Sequence, residues 1–113
     1  MEGLYGGVEG GGTQSTTRIY RGDGTLLAEV TGASTNQYQI GMEAATDRVA
    51  QMVQEGLSMA GIEPGTQLAG LCMSLSGLEV EEVATELTHL LTNRHSLGSL
   101  NLQVFFFFSK INF

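Results

Sequence analysis

The sequence predicts a mixed α/β domain in which three short strands precede a helix, a buried strand and a second helix. Three observations predict this fold class. Short apolar segments separated by glycine-rich turns open the chain, an amphipathic pattern of helical period fills its middle, and a nearly uncharged run separates that pattern from a second one. The chain has 113 residues, enough for one modest core but not for two.

The first three elements form a predicted antiparallel meander. Residues Tyr5 to Gly10 and Ser15 to Tyr20 have strand patterns, and the consecutive glycines between them predict a turn, because glycine accepts positive φ. An Asp23-Gly24 turn signal then precedes a third strand, whose two-residue apolar period starts at Leu26. We therefore expect two hairpins in the first thirty residues.

A polar loop, two helices and one buried strand complete the predicted fold. The loop covers residues 31–41, and apolar residues then recur at helical spacing from Met42 to Ala60, with Gly61 as the stop signal. The run from Leu68 to Gly77 is short and nearly uncharged, which favours a strand covered on both faces. The second helix is predicted from about residue 80 by one apolar stripe, formed by Val83, Ala84, Leu87, Leu90 and Leu91.

The sequence changes character from Arg94 onward. This segment contains no acidic residue, includes four consecutive phenylalanines at 105–108 and has no clear turn signal. One interpretation is a final strand of the domain, and the other is sequence foreign to the fold, such as a truncated or alternatively spliced product. We favour the second, which gives a partial domain over 1–93 and a divergent hydrophobic tail over 94–113. Exposed, the phenylalanine run would promote aggregation.

Composition argues against several classes of function. Twelve acidic and five basic residues give a net charge of -7, which disfavours nucleic-acid and anionic membrane partners.

The single cysteine, Cys72, lies in an apolar run, so we expect a core thiol and no internal disulfide. His89 and His95 have no partners at metal-ligand spacing. No signal peptide pattern and no apolar run of about 18 residues occurs, so we expect a cytoplasmic protein.

The glycine cluster at the first turn is a candidate phosphate site. Gly10, Gly11 and Gly12 let successive amides approach a phosphate, and the Thr13 and Ser15 hydroxyls add donors at the same rim. No Gly-Lys-Ser/Thr follows, and the glycines lead into a strand and not a helix, so the cluster is neither a Walker A loop nor a dinucleotide-binding fingerprint. A plain hairpin turn is the alternative.

Other candidate ligand contacts lie at strand ends and in the polar loop. Glu9 ends the first strand, where its carboxylate could hold Mg²⁺ directly or through water, or could simply be solvated. The Asn36 amide offers a donor and an acceptor for a sugar hydroxyl, although Asn36 and Thr35 also suit a turn or a helix cap. Ser76 and Gly77 end the buried strand, where α/β sheets contact ligands or simply turn into a helix.

The combination of motifs is more specific than any one of them. The sequence has "GGVEGGGT" in the first hairpin, "STN" after the third strand and "LCMSLSG" after the helix. Over about residues 4–93 this order resembles the N-acetylglucosamine kinase family of the BadF/BadG/BcrA/BcrD ATPase group. That group has the actin-like, ribonuclease-H-like sugar kinase fold, and the resemblance covers the first part of its N-terminal domain.

The resemblance implies ATP-dependent phosphorylation of N-acetylglucosamine at its 6-hydroxyl in amino-sugar salvage, with ATP and Mg²⁺ as cofactors. By position, Thr13 would contact an ATP phosphate, the loop of Gly10, Gly11 and Gly12 would shape that contact, and Asn36 would contact the sugar.

The sequence departs from the family pattern in one respect that affects catalysis. The family's catalytic base is an aspartate in a "TDA"-like segment after the second helix, and this chain has neither that segment nor any Asp or Glu after Glu86. A general base typically contributes about 10²–10⁴-fold to the rate. The family's second domain is also missing, so we expect the chain to be inactive alone, with no catalytic residue of its own.

Two other interpretations remain. The chain could be a non-catalytic module that pairs with full-length subunits through exposed strand edges as a homo-oligomer, because an unpaired edge recruits other strands. It could also be a small glycine-rich domain unrelated to kinases.

Overall fold

The computed structural model describes residues 3–11, 13–36, 40–63, 66, 68–75, 82, 85–87 and 89–91. Its elements are the strands β1 (Leu4–Gly10), β2 (Gln14–Arg21) and β3 (Leu26–Ala33), the helix α1 (Met42–Met59) and the strand β4 (Gly70–Leu75). Residues 82, 85–87 and 89–91 are helical as well. The predicted order of three strands, helix, strand and helix is confirmed.

The four strands form one sheet in the order β3-β2-β1-β4. The pairs β1–β2 and β2–β3 are antiparallel, as the predicted meander requires, and β4 joins the other side of β1 in parallel. A parallel partner needs a crossover connection, which the segment containing α1 provides. The carboxyl ends of β1 and β4 therefore lie side by side, with Gly10 opposite Leu75.

One face of the sheet is buried because its inward residues align in rows across all four strands. The first row runs Val30, Thr17, Val8 and Met73, and every member is buried. The next row runs Ala28, Ile19, Gly6 and Leu71, and it is buried too. The core above these rows includes four residues of α1, which are Val49, Ala50, Val53 and Leu57. Leu87 and Leu91 join the same core, as the predicted apolar stripe requires.

The helix approaches the sheet closely at a glycine. A Cβ added at Gly56 would lie 2.8 Å from Ile19 Cγ1, so the missing side chain lets α1 pack directly on β2. The end of the helix agrees with the sequence prediction. Gly61 has a φ of 79°, and the Ile62 amide donates to the Leu57 carbonyl at 2.9 Å, the backbone arrangement of a glycine-terminated helix.

The third strand differs from the sequence prediction at both ends. Residues 31–33, assigned to the polar loop, instead continue β3 because they pair with residues 14–16 of β2. Near the start, Tyr20 lies opposite Leu26 whereas Ile19 lies opposite Ala28, so Leu27 is an extra residue. This bulge reverses the face of the sheet to which the side chains before Ala28 point. Leu26 is therefore 48% exposed, although Ala28 is buried. The Asp23-Gly24 turn between the strands is as predicted, with a Gly24 φ of 95°.

The prediction that β4 is covered on both faces is wrong for the described residues. Leu71 and Met73 are buried, but Cys72 and Ser74 point to the other face and are only partly buried. The expected core position of Cys72 is therefore wrong as well, because strand alternation places its thiol on the open side of the sheet.

Some sequence predictions lie outside the described residues. They concern Gly12, Ser76, Gly77, Val83, Ala84, His95 and the tail over 94–113. In the part of the chain that is described, no helix is both long enough and apolar enough to cross a membrane.

Replacing Gly56 tests the close approach of α1 to β2. Overpacking typically costs about 1–3 kcal/mol, whereas alanine gains about 1 kcal/mol of helix propensity over glycine. We expect Gly56→Ala to lower the free energy of unfolding by about 1 kcal/mol, measured by urea denaturation followed by circular dichroism. Ser58→Ala, at an exposed position of the same helix, is the control and should be neutral or slightly stabilising. A Gly56→Ala chain more stable than the unsubstituted protein would contradict this packing.

Candidate functional site

The glycine turn that joins β1 and β2 is tighter than the sequence suggests. The Gly11 amide donates to the Gln14 carbonyl at 2.9 Å and closes the hairpin, and Gly10 still belongs to β1, opposite Ser15. Thr13 is exposed at the tip of the turn. A Cβ added at Gly11 would meet nothing closer than the Gln14 carbonyl oxygen at 3.7 Å, so the space beside the turn is open. The Gly11 amide is used in closing the hairpin, and Thr13 is the exposed candidate for a phosphate contact.

The loop after β3 packs directly against this turn. The Ser34 hydroxyl donates to the Gly11 carbonyl at 3.4 Å and accepts the Asn36 amide at 3.1 Å. A serine hydroxyl that binds the amide two residues ahead stabilises a local turn. The structure therefore brings Asn36, the predicted sugar contact, into the loop that touches the predicted phosphate turn.

A buried pair of hydroxyls connects the same loop to β2. Ser15 Oγ and Thr35 Oγ1 lie 2.9 Å apart, and the two residues are only 1% and 2% exposed. The sequence prediction placed the Ser15 hydroxyl at the rim of the turn. It is instead buried, because alternation along β2 directs Ser15 to the same face as Thr17 and Ile19. The Thr35 side chain is likewise buried and not displayed to solvent.

Besides the turn and β2, the helix also contacts this loop, through Arg48. The sequence analysis did not identify Arg48 as a site residue. Its guanidinium, on α1, donates to the Ser34 carbonyl. Five donors in a rigid fork make arginine well suited to fix a backbone oxygen. One signal in the sequence could have identified it, since Arg48 is the only lysine or arginine between Arg21 and Arg94. Turn, strand and helix thus all contact residues 34–36.

Glu9 lies on the open face of the sheet in a ladder of charges. Arg18 Nη1 is 3.3 Å from Glu9 Oε1, and Arg18 Nη2 is 3.2 Å from Glu29 Oε2. The hydrogen bond to Glu9 comes first among the causes that raise the pKa of Arg18, and the charge of Glu29 adds to it. The Glu9 side chain is 70% exposed and forms a surface ion pair with Arg18. A cation bound to its carboxylate would compete with Arg18.

The end of β1 offers the Glu9 carboxylate as a candidate ligand for a metal ion. Among the described residues, no three or more His, Cys, Asp and Glu side chains are grouped so that they could hold a metal ion. Mg²⁺ in nucleotide sites commonly takes one or two carboxylates, completing its shell with phosphate oxygens and water. Glu9 alone fits that pattern as a single ligand at the end of β1.

The described surface also has two concavities apart from the turn and its loop. One, of about 190 Å³, lies around Gly7 on the open face of the sheet, and its lining includes Arg18, Cys72 and one predicted site residue, Glu9. The other, of about 540 Å³, is lined by residues of the helical segment near the end of the described chain, which are Glu82, Thr85, Glu86 and His89. Neither lining includes the described residues of the turn or the loop. Both are open to solvent, and they do not bring the predicted site residues together.

Comparison with known proteins shows what the fold resembles. No protein-family model matches the sequence. The chain is similar to the crystal structure of a proposed N-acetylglucosamine kinase from Chromobacterium violaceum, with a TM-score of 0.70 and 25% identity over 91% of this chain. It is also similar to a ROK hexokinase from Thermus thermophilus, with a TM-score of 0.67 and 15% identity over 91% of this chain.

These likenesses support a sugar kinase fold, and they fit the actin-like, ribonuclease-H-like architecture that the resemblance implies. The chain spans about one third of the length of each solved structure, 34% of the first and 33% of the second. It is thus part of a domain of that fold. The roles of individual residues in binding remain predictions.

Alkylation of Cys72 tests whether its thiol lies on the open face. Partial burial raises the pKa of the thiol, so less of the reactive thiolate is present at neutral pH than in a free cysteine. We expect iodoacetamide to label Cys72 in the folded chain, more slowly than it labels glutathione, with a rate that rises with pH. The single cysteine makes mass spectrometry unambiguous, and Cys72→Ser is the blank. Labelling that occurs only in denaturant would place the thiol in the core.

Proposed function

We propose that this chain is the part of an N-acetylglucosamine kinase that supplies contacts to the ATP phosphates and to the sugar. The reaction proposed for the whole enzyme transfers the γ-phosphoryl group of ATP to the 6-hydroxyl of N-acetyl-D-glucosamine. One observation carries the proposal: Ser34 joins the glycine turn to the Asn36 loop in a sheet similar to that of two sugar kinases.

At the phosphate end, the proposed contact is Thr13. Its exposed position at the tip of the hairpin suits a hydroxyl that donates to a phosphate oxygen. Gly10 ends β1 and Gly11 closes the turn, so their proposed role is to shape the loop. Gly12, next to Thr13 in sequence, is proposed to complete it. Ser15 is buried next to the turn, so its proposed role is to stabilise the turn and not to contact the phosphate.

Glu9 is proposed to contribute to Mg²⁺ binding at the same end of β1. The ion supplies charge neutralisation between the phosphates when ATP is bound. Because Arg18 is 3.3 Å from Glu9 Oε1, an ion bound to this carboxylate competes with the arginine, which also has Glu29 as a partner.

At the sugar end, the proposed contact is the Asn36 amide, which can donate to one sugar oxygen and accept from another. Its backbone is fixed, because the Asn36 amide donates to Ser34 and the Asn36 carbonyl accepts the Ile40 amide at 3.2 Å. Thr35 is proposed to position Asn36, since its own hydroxyl pairs with Ser15. Ser76 and Gly77 follow β4 directly in sequence and are kept as proposed sugar contacts.

Binding by the isolated chain and its variants tests these roles. We expect weak binding of Mg·ATP and of N-acetylglucosamine by isothermal titration calorimetry. Thr13→Ala should weaken only the nucleotide, by about tenfold, because a hydrogen bond to a charged group contributes about 1.5–3 kcal/mol. Asn36→Ala should weaken only the sugar. Thr31→Ala, at an exposed position of β3, is the matched control and should change neither affinity. Equal effects of all three substitutions would refute the assignment.

Turnover is not expected from this chain alone. The sequence has no Asp or Glu after Glu86, and the chain covers only about a third of the similar kinases, 34% and 33%. Positioning between two walls of a cleft and a proton acceptor for the sugar hydroxyl supply much of phosphoryl-transfer catalysis. A coupled assay with ATP and N-acetylglucosamine should show no ADP formation above background. Sugar-dependent ADP formation by the purified chain would contradict inactivity.

A second candidate function is that of a non-catalytic interaction module, in a proposed cytoplasmic location. The observation that favours it is the sheet order, in which β3 and β4 each have a single neighbour among the described strands. Such edges offer backbone donors and acceptors to a further strand, including one from a second copy of the chain. Size-exclusion chromatography with light scattering discriminates the kinase fragment from the interaction module. A monomer that binds ATP and the sugar supports the kinase fragment and counts against the interaction module.

A further inference from the structure

We propose that the buried hydroxyl pair of Ser15 and Thr35 couples the two proposed subsites, so that a sugar held at Asn36 tightens the binding of nucleotide phosphate at the glycine turn. The coupling rests on the proposed function. The hydroxyl clasp is defined as Ser15, Ser34 and Thr35 with the groups they bind.

Burial makes the clasp a rigid connection. Buried hydroxyls need partners, because an unpaired one has lost its hydrogen bonds to water. Ser15 and Thr35 satisfy each other across 20 residues of sequence, with both side chains almost fully buried. If β2 or the loop moved alone, two buried hydroxyls would be left without partners. Separate movement of the two segments therefore costs about 1–3 kcal/mol for each hydroxyl left unpaired.

Each end of the clasp is close in the chain to a proposed ligand contact. Ser15 lies two residues after Thr13, and Ser34 binds the Gly11 carbonyl at 3.4 Å. At the other end, Thr35 precedes Asn36, whose amide is held by Ser34 at 3.1 Å. A ligand that fixes the side chain of either contact therefore restrains the backbone that carries the other.

Helix α1 also holds the loop in place, so that movement at one ligand contact is not absorbed by the loop itself. Arg48 donates from α1 to the Ser34 carbonyl, and α1 packs on the core through Val49 and Val53. The loop is thus anchored to a rigid element on its far side. When one ligand has already ordered the clasp, the second ligand loses less conformational entropy on binding and therefore binds more tightly. By linkage, each ligand raises the affinity for the other by the same factor.

Thr17 provides a matched control within the same strand. It lies on the same face of β2 as Ser15, is fully buried, and its Oγ1 has no hydrogen-bond partner among the described residues. Thr17→Val removes a buried hydroxyl that pairs with none of the described residues, whereas Thr35→Val removes one half of the clasp. The two substitutions are chemically identical.

Amide hydrogen exchange of the full 113-residue chain tests the connection without any ligand. The probe is the Gly11 amide, which closes the hairpin and lies outside the substituted residue. We expect Thr35→Val to raise its exchange rate about fivefold relative to the unsubstituted chain and to Thr17→Val, the low end of typical coupling factors. Thr35→Ser keeps the hydroxyl and should restore slow exchange. Equal Gly11 rates in Thr35→Val and Thr17→Val would overturn the inference.

Ser15→Ala provides the reciprocal measurement, and it serves if Thr35→Val does not fold. We expect it to raise exchange at the Asn36 amide, which Ser34 holds on the other side of the clasp. Unchanged exchange at Asn36 would count against the coupling.

Titrations with Mg·ATP in the absence and presence of saturating N-acetylglucosamine then measure the coupling. In the unsubstituted chain the sugar should tighten nucleotide binding about fivefold, Thr35→Val should abolish that factor, and Thr17→Val should retain it. If both ligands bind but the factor is one, the coupling is wrong and the proposed function stands. If neither ligand binds, the proposed function fails and the coupling fails with it.

Discussion

The arrangement of the molecule depends on the need to bury one face of a four-stranded sheet against α1 and the helical residues Leu87 and Leu91. Two rows of inward residues cross all four strands, and Gly56 lets α1 settle on Ile19 in the middle of the second row. Because side chains alternate along a strand, this burial also fixes where every other residue of the sheet points. Ser15 continues the inward set of β2, and Glu9 and Cys72 belong to the outward set.

The candidate site follows from that constraint. The hairpin brings Gly11 and Thr13 to the end of β1, and the crossover toward β4 begins with residues 34–36 at the same end of the sheet. The inward direction of Ser15 makes its hydroxyl available to Thr35 and not to a ligand. The loop therefore gains a buried attachment to β2, and Thr13 and Asn36 keep the positions from which ligand contact is proposed. On the open face, the same alternation pairs Glu9 with Arg18.

Local signals in the sequence predicted the features that depend on local chemistry. The Asp23-Gly24 turn and the helix end at Gly61 both require positive φ, and glycine is the residue type that accepts it. Features that depend on partners distant in sequence were not predictable in this way. The bulge at Leu27 depends on the register with β2, and the half-exposed position of Cys72 depends on which face of β4 the helix covers. The contact of Arg48 with Ser34 depends on how α1 lies across the sheet. For the site, composition identified Thr13 and Asn36 as candidates, but only the fold shows that Ser34 joins their loops.

The central claim is that the glycine turn and the loop of residues 34–36 form one ligand site. An amide chemical-shift map of the chain, recorded on addition of a non-hydrolysable ATP analogue with Mg²⁺, tests it most directly. We expect perturbations both at Gly11 and Thr13 and at Thr35 and Asn36, because the hydroxyl contacts join the two segments. Perturbations confined to the open face around Gly7 and Cys72, with none in the turn or the loop, would contradict it.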